Sequence, residues 1–136
     1  DESMTQIDQF HAVYDWVIEN CSYVAMQYLE AGSKGWEPEL ALYMFENLEG
    51  NCYYYAAIVA MLGRNVGMQA YGVMGQCYQT NMWVAHGWCE VEYEGQEYLV
   101  DAEMEGVFAA ELGWEWDQFM REYGTTVNTY EKYEGY

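Results

Sequence analysis

Basic side chains are scarce in this chain. Four Lys and Arg stand against 23 Asp and Glu in 136 residues, a formal net charge of −19. A surface of that sign repels nucleic acid and anionic membrane, so neither is expected as a partner. A single proline excludes proline-rich and collagen-like classes. Long apolar runs are missing too. The longest, Ala56 to Gly63, falls far short of the ~20 residues that a membrane span needs, so no membrane insertion is expected. No charged-then-apolar segment opens the chain, which begins at Asp1. The expectation is a mature or trimmed domain whose targeting segment lies outside this sequence, with a secreted or cell-surface location favoured. No C-x-x-C pair occurs among Cys21, Cys52, Cys77 and Cys89, which argues against zinc ribbons and thioredoxin-like redox sites.

What is present suffices for a core. Apolar residues make up 52%, including six Trp, 15 Tyr and four Phe. The length fits one domain over residues 1–136. The acidity reads first as a solubility coat and second as attraction for basic substrates.

Apolar residues recur at three- and four-residue steps from Ile7 to Tyr28, which predicts one long helix over 5–30. Thr5 and Asp8 fit a capping box at its start. Cys21 falls on its apolar stripe as a small core residue, and His11 at the stripe's edge, half-buried. Pro38 opens a second, short helix that Gly50 ends. A third helix starts at Asn51-Cys52 and stops at Gly63. Its small residues, Ala56, Ala57 and Ala60, suit close packing on a sheet. The period then changes to two. Strands are expected at 68–74, 83–93 and 96–102, with a polar loop at 75–81 and a two-residue turn at Glu94-Gly95. Residues 108–121 are helix or loop, and the last 15 residues give little signal. Helices followed by an antiparallel meander predict an α+β fold.

Three residues carry the chemistry. Asn51 is a good N-cap, which places Cys52 in the first turn of a helix. The helix dipole and the free N–H groups there favour a thiolate and can hold an oxyanion. His86 lies inside a strand and shares a face with Val84, Trp88 and Glu90. A two-residue turn sets Tyr93 opposite Gln96, so Trp88 faces Asp101 and His86 faces Glu103. Asp101 and His86 become diagonal neighbours about 7–8 Å apart at Cα, within reach of a carboxylate–imidazole bond. Such a bond would fix the tautomer of a general base. Trp88 would add an aromatic wall beside it.

These residues, with Gly50-Asn51-Cys52, Leu62 to Met68, Ala85-His86-Gly87-Trp88-Cys89-Glu90-Val91 and Tyr98-Leu99-Val100-Asp101, resemble the transglutaminase-like domain. The resemblance is strongest over 5–105. It implies a papain-like cysteine-hydrolase core, with the nucleophile at a helix start packed on an antiparallel sheet. It implies Cys52 as nucleophile, His86 as general base and acid, and Asp101 as orienting carboxylate. Two departures stand out: Asp101 is followed by Ala102 in place of Pro, and Gly87 replaces the commoner Ala. The second oxyanion donor is open between Trp36 and Gln76. No calcium loop is recognisable, and neither cofactor nor metal is expected.

Thiol-dependent acyl transfer on peptide or protein amides follows from these roles. Hydrolysis, as a peptidase or amidase, is the first choice over cross-linking, because water is always present. The alternative is a catalytically retired domain that serves as a protein-binding module. A third reading, metal binding by Cys52, His86 and Asp101, ranks last. The expected partner is a peptide or protein substrate that is neutral or basic near the reacting amide; the oligomeric state is left open. All four thiols are expected to be reduced, with Cys77 at a hairpin tip too far from Cys89 for a disulfide.

Overall fold

The computed structural model describes residues 4–136. Helix α1 spans Gln6–Asn20 and opens with the expected capping box, the Asp8 N–H donating to Thr5 Oγ1 at 3.1 Å. It stops ten residues short of the expected end at residue 30. Cys21 turns extended, and strand β1, Ser22–Tyr23, pairs in parallel with β2, Glu49–Gly50. Ser22 donates to the Leu48 carbonyl and Val24 to that of Gly50. These long-range bonds replace the helical ones that residues 22–28 would have made. Tertiary pairing thus outweighs a helical pattern that continues through Ala25, Met26 and Gln27, all good helix formers.

Phe10, Tyr14 and Val17 form the buried stripe of α1, and Cys21 stays in the same core. His11 is exposed rather than half-buried, although its ring stacks on Phe119 at 4.3 Å. Helix α2, Glu37–Asn47, carries Pro38 in its first turn. Left-handed Leu48 terminates it, not Gly50. Helix α3, Cys52–Asn65, runs through Gly63. A Cβ at Gly63 would meet the Phe10 ring at 2.9 Å and Ala70 at 3.1 Å. That glycine is there for close packing, and Gly67, with φ 88°, makes the turn.

The sheet has four antiparallel strands in the order β5 (Gln96–Val100), β4 (Met82–Tyr93), β3 (Gln69–Gln79), β6 (Thr129–Lys132). Strand β3, Gln69–Gln79, is longer than expected, and the polar loop is absent. Thr80 and Asn81, both at positive φ, form a two-residue turn into β4, Met82–Tyr93. Cys77 therefore lies in a strand opposite Val84, fully buried, and not at a hairpin tip. The Glu94-Gly95 turn leads to β5, Gln96–Val100, in the expected register of Tyr93 opposite Gln96. The ladder ends at Cys89–Val100, so Asp101 leaves the strand and a π-helical segment, Met104–Ala109, follows. Strand β6, Thr129–Lys132, comes from the region that lacked a pattern and pairs with β3.

Helix α3 covers one face of the sheet. Ala70, Cys89 and Val91 share the core of Phe10, Ile58 and Val59, and a Cβ on Gly87 would collide with the Tyr53 ring. His86, Trp88 and Glu90 point to the other face, where Tyr123 and Tyr130 close over them. The four cysteines are free and buried. No helix among the described residues is long and apolar enough to cross a membrane.

Candidate active site

Asn51 holds the start of α3 from both sides. Its Oδ1 accepts the Tyr53 N–H at 3.1 Å, and its Nδ2 donates to the carbonyls of Met26 and Gln27 at 3.4 and 3.5 Å. The cap thereby ties the Cys52 turn to the irregular segment that carries Tyr28, whose ring meets Tyr53 edge-on.

The structure brings the three sequence-derived residues together. His86 Nε2 lies 2.7 Å from Asp101 Oδ2, with both side chains buried. Cys52 Sγ lies within 4.8 Å of a His86 ring nitrogen. Asp101 occupies Nε2, which leaves Nδ1 for the thiol. Burial works against a charged imidazole at this position. The Asp101 carboxylate, then the facing sulfurs of Cys52 and Cys77, outweigh it and hold His86 well above its ordinary range.

Asp101 is itself held on three sides. Tyr130 Oη donates to its Oδ2 at 2.6 Å and the Met104 N–H to its Oδ1 at 3.1 Å. Its own N–H donates to the Gln118 carbonyl at 2.9 Å. Burial, and then the Asp101 charge, keep the Tyr130 phenol far above its usual pKa, so it remains a donor. Behind His86, the Trp88 ring stacks at 6.0 Å. Trp88 Nε1 donates to Tyr123 Oη, which donates to Glu90 Oε1, which also accepts Lys132 Nζ at 2.9 Å. The alternate residues His86, Trp88 and Glu90 thus form one braced row. Trp88 is fully buried, so the expected aromatic wall supports the base from behind and does not face a substrate.

A cleft of about 180 Å³ opens beside His86, and Tyr23, Tyr28, Gln79, Glu103 and Phe108 are among its walls. Neither oxyanion candidate from the sequence lines it. Trp36 packs on Gly72 and Tyr53, and Gln76 donates to Glu131 in an exposed pair. Gln79 is the glutamine that lines it, with a buried Oε1 that lacks a partner among the described residues. Glu103 has no assigned role in the sequence reading, although the strand arithmetic set it opposite His86. Its Oε1 is 3.9 Å from His86 Nδ1, and a carboxylate oxygen lies within 4.8 Å of Cys52 Sγ. Burial pushes its carboxyl up to about 7, against the pull of His86.

Residues 1–101 match the model of the transglutaminase-like superfamily. Among solved structures, a candidate cysteine protease from Cytophaga hutchinsonii aligns with a TM-score of 0.54 at 22% identity, over 68% of this chain and 30% of that one. A TGase aligns with a TM-score of 0.55 at 18% identity, over 74% and 27%. This chain therefore spans less than a third of either solved protein. No curated protein matches it. At these identities the two structures establish the papain-like fold.

Proposed function

The chain belongs to the transglutaminase-like superfamily, and from that premise we propose that it is a thiol-dependent acyl-transfer enzyme acting on peptide or protein amides. One observation carries the reading: a buried His86–Asp101 pair at 2.7 Å beside a helix-start cysteine. In the cycle, His86 Nδ1 takes the Cys52 proton and the thiolate adds to the amide carbonyl. The Cys52 N–H, in the first turn of α3, faces the developing oxyanion. His86 then returns the proton to the leaving amine, and a thioester remains. Asp101 keeps the Nε2 proton in place and stabilises the imidazolium throughout.

Water or an amine can resolve the thioester. Hydrolysis is the favoured outcome, because it needs no second binding site beside a cleft of about 180 Å³. Mass spectrometry of the protein mixed with an activated acyl ester should show one acyl adduct on Cys52, absent in Cys52→Ser and slowed in His86→Ala. Adding a primary alkylamine then separates the fates. A free acid as main product supports hydrolysis, and an amide supports transfer. A wild-type protein that never acylates would make the domain a binding module.

A further inference from the structure

The acyl-transfer cycle leaves one buried group at Cys52 without a task. Glu103 is 8% exposed, while Cys52 and His86 are 2% exposed. The three come from separate elements: the start of α3, the middle of β4 and the approach to the π-helical segment. One sulfur, one ring nitrogen and one carboxylate oxygen all lie within 4.8 Å of one another. We propose that Cys52, His86 and Glu103 form a site for a thiophilic divalent cation of the zinc type, whose binding reversibly blocks the nucleophile.

The donor set selects the ion. Thiolate with imidazole favours zinc and similar borderline-soft cations over magnesium or calcium. Bond lengths of about 2.0–2.3 Å place tetrahedral donors about 3.3–3.6 Å apart. The His86 Nδ1 to Glu103 Oε1 separation is already 3.9 Å, so small side-chain adjustments close the site. Asp101 sits on the opposite ring nitrogen, at 2.7 Å. It is therefore no ligand, contrary to the set considered from sequence. It is the outer carboxylate that orients a metal-binding imidazole and raises its basicity. Three protein donors leave a fourth position, and Glu103 and His86 both border the cleft from which water would fill it. The same side chains serve both states: without the cation the thiol is free to react, and with it the sulfur's lone pair is engaged.

The blocking role rests on the acyl-transfer reading; the binding site does not. The test uses chelator-treated protein in excess Mg²⁺, which occupies the diffuse acidic surface. Zn²⁺ should bind at one equivalent and protect Cys52 from iodoacetamide. Co²⁺ in its place should give a sulfur-to-cobalt charge-transfer band with tetrahedral visible bands. Cys52→Ser should remove the charge-transfer band, Glu103→Gln should weaken binding about tenfold or more, and Cys21→Ala should change neither. Equal affinity in Glu103→Gln, or a charge-transfer band that persists in Cys52→Ser, overturns the site. So does unprotected Cys52 in the unmutated protein at saturating Zn²⁺, a readout that needs no variant to fold. Zinc-free protein that binds the cation as described but never forms an acyl adduct would overturn the enzymatic reading and leave the site standing.

Discussion

Four buried thiols share this chain, and Cys52 alone sits at a helix start; burial dominates the other three. It pushes Cys77 up to about 11 and holds Cys21 and Cys89 above the ordinary thiol range. Cys21 and Cys89 have no imidazole paired with a carboxylate beside them, and at Cys77 burial outweighs the pull of His86. Native iodoacetamide labelling should therefore stop at one adduct, on Cys52, and denaturation should release all four. Two native adducts, or one that survives in Cys52→Ser, would move the nucleophile elsewhere. Glu103 poses a second question at this scale. A carboxyl raised to about 7 in the folded protein binds its proton more tightly than in the unfolded chain. Its contribution to stability is thus complete below about 4.5 and is lost as pH rises through about 7. Glu103→Gln should remove that loss, so the variant should gain urea stability relative to the parent between pH 4.5 and 8, in chelator throughout. A difference that stays constant with pH would mean that Glu103 titrates normally.

Elements fix these residues in place, and two of them invite a direct test. Gly87 lies under the Tyr53 ring of α3. Tyr53 in turn packs edge-on against Tyr28 and Trp36, so the ring has little room to retreat. Gly87→Ala should cost about 1–3 kcal/mol by overpacking. Tyr53→Leu should recover part of it, a coupling of at least about 0.5 kcal/mol in a double-mutant cycle. A neutral Gly87→Ala would show that α3 floats on the sheet. The second test concerns β6, which carries Tyr130 to Asp101. A hydrogen bond to a charged group is worth about 1.5–3 kcal/mol. Tyr130→Phe should therefore lower kcat about tenfold and leave KM in place; an unchanged kcat would remove Tyr130 from the machinery. The contrast between β4 and β6 explains what the sequence discloses. Clean alternation over 83–93 and a Glu-Gly turn put His86 and Asp101 on one face without any structure. Asn51 and the small residues of α3 do the same for Cys52. β6 has only four residues, too few to announce a strand, and β3 supplies its pairing. The end of α1 is hidden for the same reason, since β2 captures Ser22 and Tyr23. Gly75 looks like a loop residue, yet it sits mid-strand because its missing Cβ leaves room for the Glu131 carbonyl and the Trp88 ring. Local pattern cannot record a partner that is distant in the chain.

At the scale of the whole molecule, the charge imbalance leaves the acids uncompensated. All four basic side chains are engaged: Lys34 with the Gly135 carbonyl, Arg64 with Glu37, Arg121 with Asp117 and the Thr125 carbonyl, and Lys132 with Glu90 and Glu97. Glu111 lines the cleft, and Glu103 beside it gains its full charge only above about 7, so part of the negative field is set at the cleft rather than spread over remote surface. A low-dielectric cleft concentrates such a field and raises the local concentration of cationic ligands. A substrate with Lys or Arg near the reacting amide should thus be processed faster than an acidic counterpart of equal length. The advantage should shrink as salt rises, since the screening length falls to about 10 Å at 0.1 M. Matched peptides in a salt series measure it through kcat/KM. Glu111→Gln should lower the preference at low salt while leaving the neutral peptide unchanged, because Glu111 borders the cleft but touches none of the reacting groups proposed above. Equal rates for basic and acidic peptides at low salt would confine the acidity to keeping the protein in solution.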